Sequence, residues 1–146
     1  MTVLGIEIKG REIRMVALKI EDGTISDVTG TYKPLKLEDD EIAENVILFK
    51  NSLFAILDSF DPTAIILKWR SPKPPTGFQK EKNFSASPIS FKIEGLIQIY
   101  EKASVTLIKP QTLTAYFKKN ELPLQPKYTY QTDAMKIAYH FLKTNQ

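Results

Sequence analysis

The groups able to do chemistry in this sequence are carboxylates, lysines, aromatic rings and one imidazole. None of the 146 residues is cysteine and His140 is the single histidine. That rules out thiol nucleophiles and thiol redox centres, and leaves no soft ligand set for structural zinc. Any metal held here would be a hard ion on oxygen ligands. Three acids stand in patterned segments. Glu7 lies in the apolar run from Val3 to Ile8 and, on a regular strand, shares a face with Val3 and Gly5 and has open space around it. Glu94, flanked by Ile93, Leu96 and Ile97, sits at the border of a buried helix face, where it can supply an oxygen ligand or pair with a lysine such as Lys92. Asp133 falls just off an apolar helix stripe, in the first turn, where a negative charge suits the helix dipole. His140 follows two turns later on the same side and reads as structural. Ser85, Ser87 and Ser90 make no triad with it, because no glycine-flanked serine elbow is present.

A second chemistry lies between Arg70 and Pro88. Arg70, Lys73, Lys80, Lys82 and nearby Lys92 face only Glu81 and are interleaved with Trp69, Phe78 and Phe84. Cations bind phosphates and rings stack on exposed bases, so this mixture suits single-stranded or distorted nucleic acid, DNA or RNA. Tyr116, Phe117, Lys118, Lys119, Lys127, Tyr128 and Tyr130 repeat the theme later in the chain. Prolines that stiffen a loop and aromatics that anchor an interface suit a protein partner, or a second copy of the chain, equally well. The net charge of +3 leans only mildly toward an anionic partner.

These groups need elements to position them. Short apolar stretches separated by turn residues predict an antiparallel meander: Val3 to Ile8, Ile13 to Ile20 and a weaker, edge-like Thr24 to Tyr32. Ile42, Val46, Phe49, Leu53 and Leu57 have helical spacing, and Asp61-Pro62 should end that helix near Phe60. Ala64 to Leu67 reads as a buried strand placed centrally beside the first. Pro72, Pro74, Pro75, Gly77 and Pro88 enforce the loop after it. A helix over Ile89 to Ala103, a short buried strand over Val105 to Ile108 and a brief helix from Pro110 to about Asn120 follow. Ala134, Ile137, Ala138, Phe141 and Leu142 mark a last amphipathic helix. Residues 1–146 thus read as one α/β domain with a five-stranded mixed sheet. No apolar run reaches the roughly 18–20 residues of a membrane span, and the sequence reads as cytoplasmic with no membrane partner.

That order of elements, together with four short motifs, resembles the ribonuclease H-like fold, and within it the RuvC-type junction resolvases. Gly5-Ile6-Glu7-Ile8-Lys9-Gly10 is similar to their first-strand motif, with glutamate in place of aspartate. Ala64-Ile65-Ile66-Leu67-Lys68 looks like their fourth strand. Ser104 to Pro110, with Thr112 and the helix carrying Lys118-Lys119, looks like their fifth strand and basic helix. Gln131-Thr132-Asp133-Ala134-Met135-Lys136-Ile137-Ala138 resembles the start of their final helix. The likeness is closer still to a small bacterial family of uncharacterised function that opens with Gly-Ile-Glu-x-Lys-Gly and also shares Phe91-Lys92-x-Glu94 with Ile97-Gln98. The glycine-flanked opening also looks like the phosphate loop of an actin-like ATPase, but a second glycine-rich segment and room for a second lobe are missing.

The resemblance implies a phosphodiesterase that uses two magnesium or manganese ions roughly 3.5–4 Å apart, held by converging carboxylates. Glu7 and Asp133 match two of those acids as catalytic, metal-holding residues, and Glu94 is the candidate for a third. The sequence departs at the other two: Lys68 stands at the fourth-strand acid, and Tyr130 at the acid or histidine three residues before Asp133. Lys68 would compete with a metal for Glu7. Two functions follow. The chain is a nucleic-acid-acting, metal-dependent endonuclease, or its catalytic set has decayed to a nucleic-acid-binding or protein-binding module. The cations expected to touch nucleic acid are Arg70, Lys73, Lys80, Lys82, Lys118 and Lys119, with Phe78 as a stacking ring.

Overall fold

The computed structural model describes residues 1–72 and 86–145. The sheet begins with the long hairpin of β1 (Thr2–Lys9) and β2 (Glu12–Glu21). Its two-residue turn has Gly10 at φ +62°, the left-handed geometry that glycine accepts without penalty. That turn fixes the register, placing Glu7 opposite Arg14. β3 (Thr24–Asp27) continues the meander and a two-residue β4 (Leu35–Lys36) pairs with the start of β2. After α1 (Ala43–Phe60) the chain enters β5 (Ala64–Lys68), which lies parallel to β1 with Gly5 opposite Ile66. Then come α2 (Pro88–Gln98), β6 (Ser104–Ile108), parallel to β5, α3 (Pro110–Lys119) and α4 (Thr132–Thr144). The strand order is β3-β2-β1-β5-β6, with β4 beside β2. Among the described residues no helix is long and apolar enough to cross a membrane.

Alternation along the strands divides the core in two. Leu4, Ile6 and Ile8 of β1, Ile13 and Met15 of β2, and Ile65 and Leu67 of β5 face α1 and α2, whose Phe49, Leu53, Leu57, Ile93 and Ile97 complete that layer. The opposite parity, Val3, Val16, Leu18, Ala64 and Ile66, faces α3 and α4 through Leu113, Ala134, Ile137, Ala138 and Leu142. Glu7, Arg14 and Lys68 share the parity of this second set, so all three emerge on the α4 side at one end of the central strands.

Several expectations from the sequence are corrected. The third strand stops at Asp27 rather than Tyr32. Beyond it, Thr29 Oγ1 accepts the Ala17 amide at 2.9 Å, so a side chain takes over from the ladder. The strand expected to be buried at Val105 to Ile108 is the sheet edge, and Leu107 remains 43% exposed. The helix expected to reach Ala103 ends at Gln98, letting buried Tyr100 turn back onto α1, where its hydroxyl donates to Asp58 Oδ1 at 2.8 Å. Ile42 precedes α1 and is exposed instead of joining its buried stripe.

Candidate functional site

α4 crosses β1 at near contact, and the crossing depends on Gly5. A Cβ there would lie 2.0 Å from the Ala134 carbonyl oxygen and 2.8 Å from the Ala138 amide. The small residue beside Glu7 therefore marks a helix backbone, where the sequence suggested open space. The entry to α4 is pinned by buried Gln131, which donates to the Met15 carbonyl at 3.4 Å and accepts the Tyr128 amide at 3.2 Å. One residue past α4's start, Asp133 is thereby carried over the end of β5.

There the structure brings Glu7, Lys68 and Asp133 together. Lys68 Nζ donates to Asp133 Oδ2 at 2.8 Å and to Glu7 Oε2 at 3.5 Å. Arg14 approaches Glu7 from the other side, Nη1 to Oε1 at 3.9 Å, and holds Glu12 through Nε at 2.9 Å. Lys36 Nζ stands 3.9 Å from the second Glu12 oxygen. Charges of alternating sign thus run from α4 across β5, β1 and β2 to β4. Tyr130 joins at the side: the Arg14 guanidinium lies over its ring at 5.6 Å, and the ring stacks on Tyr128 at 5.5 Å.

The electrostatics follow from this crowding. Burial pushes the Glu7 carboxyl above its ordinary range and the neighbouring Asp133 charge adds to the rise, with Lys68 and Arg14 only partly opposing it. Burial acts on Asp133 in the same direction, yet the hydrogen bond and charge of Lys68 outweigh it and hold that carboxyl below the usual range. Burial disfavours the Lys68 ammonium too, but its bonds to Asp133 and Glu7 prevail, and its pKa is raised. A proton shared by the two carboxyls is accordingly held by Glu7, while Lys68 stays charged.

The remaining candidates lie elsewhere. Glu94 pairs with Arg70 at 2.9 Å and not with Lys92, which reaches Asp40 at 2.8 Å. Glu94 is thus spent on a guanidinium and adds no third oxygen to Glu7 and Asp133. Arg70 pairs with Glu94 through Nη2 and stacks on Phe91 at 4.6 Å. His140 packs edge-on against Tyr116 at 4.9 Å, away from the acids, and burial lowers its pKa. Lys118 and Lys119 are exposed in the last turn of α3. Lys73, Phe78, Lys80 and Lys82 lie outside the described residues. Reasoning from sequence missed Arg14, which the two-residue turn at Gly10 could have placed opposite Glu7, and Lys136, one helical turn beyond Asp133.

Magnesium or manganese would need several converging oxygens. Two carboxylates converge here, both already engaged by an ammonium, and among the described residues no three His, Asp or Glu side chains gather as a metal set. The donors present do not fit a two-ion cluster.

Comparison with known proteins agrees with the fold. Residues 1–141 match the family model described as protein of unknown function (DUF3010). The chain belongs to that family. No curated protein matches it. This DUF3010 chain is similar to RuvC from Thermus thermophilus at 15% identity, over 99% of this chain and 97% of that one, with a TM-score of 0.69. It is also similar to the Thermus thermophilus RuvC solved with a Holliday junction substrate (17% identity, 99% and 96% covered, TM-score 0.68) and to the fowlpox virus resolvase solved with Holliday junction DNA (13%, 99% and 99%, 0.56). At these identities the likeness establishes the ribonuclease H-like fold.

Proposed function

We propose that this DUF3010 chain is a nucleic-acid-binding ribonuclease H-like module that does not cleave its ligand. One observation carries the reading: Lys68 Nζ stands 2.8 Å from Asp133 Oδ2 and 3.5 Å from Glu7 Oε2. The ammonium engages both acids that a divalent ion would have to use, and its raised pKa means that they hold it charged. A dication entering there would meet a resident cation and only two carboxylates. Binding falls instead to the surface flanking the triad, where Lys109, Lys118, Lys119 and Lys127 are exposed and Lys136 half-buried, close to the rings of Trp69, Phe117 and Tyr128. Such a surface suits phosphates and exposed bases, and the RuvC and poxvirus likenesses, solved with junction DNA, support branched DNA as the first ligand to try.

The test joins a binding titration with a cleavage assay on junction, flap and RNA–DNA hybrid substrates in magnesium and in manganese. Binding that weakens steeply as salt rises, with no product formed, is the expected result. Product that disappears in Asp133→Asn would overturn the non-cleaving reading in favour of a nuclease. No binding to any substrate at low salt would overturn the nucleic-acid reading itself.

A further inference from the structure

Beside the ion triad, α3 and the start of α4 enclose a cleft of about 320 Å³, at the small end of the roughly 300–1,000 Å³ range of small-molecule sites. Lys68, Lys118, Lys136 and Asp133 line it together with the apolar side chains of Leu113 and Phe117. Three ammonium groups therefore face one carboxylate, which Lys68 already neutralises. Among the described residues, neither Lys118 nor Lys136 has a carboxylate within ion-pair distance. Lys136 Nζ instead stands over the Phe117 ring at 5.6 Å, and both residues line the cleft. A second hollow of about 600 Å³ shares Pro110, Thr114 and Lys118 with the cleft.

We infer that this cleft is a site for a single nucleotide, with its terminal phosphate between Lys118 and Lys136 and its base against Leu113 and Phe117. Two ammonium groups that have no carboxylate within ion-pair distance among the described residues suit the doubly charged phosphate of a monoester better than the single charge of a diester inside a strand. An aromatic and aliphatic floor supplies the stacking surface that a base needs and a bare phosphate does not. The ligand unit is a nucleoside monophosphate, free or at the 5′ end of a strand. The inference names the ligand unit of the nucleic-acid-binding reading and rests on that reading for its chemical class.

Binding is read by isothermal titration calorimetry. The probes are adenosine 5′-monophosphate, adenosine, inorganic phosphate, and one oligonucleotide with either a 5′-phosphate or a 5′-hydroxyl. The nucleotide should bind at least ten-fold more tightly than adenosine or phosphate alone. Lys136→Glu and Lys118→Glu should each weaken it at least ten-fold, Lys136→Arg should restore it, and exposed Lys33→Glu should leave it unchanged. Thermal melts of these surface variants check that the fold is kept. Discrimination seen only between the two oligonucleotides would assign the cleft to strand ends. If oligonucleotides bind with no preference for the 5′-phosphate, and adenosine matches its monophosphate, the cleft proposal is overturned while the binding reading stands. If the mononucleotide binds but no oligonucleotide does, the cleft stands and the macromolecular reading falls. Binding of neither overturns both.

Discussion

At Lys68 the desolvation of an ammonium is offset by two carboxylates from separate elements, Glu7 on β1 and Asp133 on α4. Removing the ammonium leaves two acids in contact, with Arg14 near Glu7 and Lys136 near Asp133 as the remaining cations. Lys68→Met should therefore cost about 1–3 kcal/mol of unfolding free energy at neutral pH, between the values for surface and fully buried pairs. The Asp133 side chain is 42% exposed, which draws the expectation to the lower part of that range. The pH dependence has a definite sign. The folded pKa of Asp133 lies below its ordinary 3.8, so its stabilising contribution is present above 3.8 and is lost as pH falls through the lower folded value. Glu7 behaves oppositely. Its folded pKa lies above the ordinary 4.5, so acidification through that raised value protonates the folded protein first and stabilises it. In Lys68→Met the repulsion between the acids is relieved by the same protonation. Urea denaturation from pH 7 down to pH 5 should show the deficit of the variant shrinking; a constant or growing deficit would mean that the two carboxylates are not the interacting pair.

Among the elements, α4 determines whether the triad exists, and it can do so only because β1 offers a residue without a side chain at the crossing. A Cβ at position 5 would meet backbone atoms of Ala134 and Ala138, which cannot step aside as a flexible side chain would. Gly5→Ala should cost at least about 3 kcal/mol, the upper part of the overpacking range, and should push Asp133 out of reach of Lys68. The matched measurement is thermal unfolding of Gly5→Ala and Gly5→Ser beside the parent; a melting temperature within a degree or two of the parent would refute the close crossing. The face that Glu7 shares with Val3 and Gly5 was legible from the period of two, whereas Lys68 was placed near Glu7 by the family resemblance alone, because Ala64 to Leu67 is apolar throughout and shows no alternation. The identity of Glu94's partner was not legible. Arg70 and Glu94 are 24 residues apart, and their pairing follows from how α2 packs over the end of β5, which no local pattern encodes. The edge position of β6 escaped for a related reason. Val105, Leu107 and Ile108 look like a buried run, yet burial of a strand depends on whether another one follows it in the sheet.

For the molecule as a whole, a net charge of +3 conceals a segregated surface. Acids gather ahead of α1 at Glu38, Asp39 and Glu41, whereas α3 and the start of α4 present Lys118, Lys119 and Lys136. If nucleic acid binds along α3, each phosphate contact made by a lysine contributes roughly one unit to the slope of log affinity against log salt. The double substitution Lys118→Glu with Lys119→Glu should therefore flatten that slope by about two and weaken binding most at low salt. An unchanged slope in anisotropy titrations over a range of salt concentrations would remove α3 from the interface.

Seen from the gene, the ammonium of Lys68 is one letter deep. Lysine codons, AAA and AAG, differ from glutamate codons, GAA and GAG, only at the first base. A single transition there exchanges the internal cation for a third carboxylate beside Glu7 and Asp133. The closed ion triad and an acidic cluster that must recruit its cation from solution are thus adjacent in mutational space, with the surrounding scaffold of β1, β5 and α4 common to both.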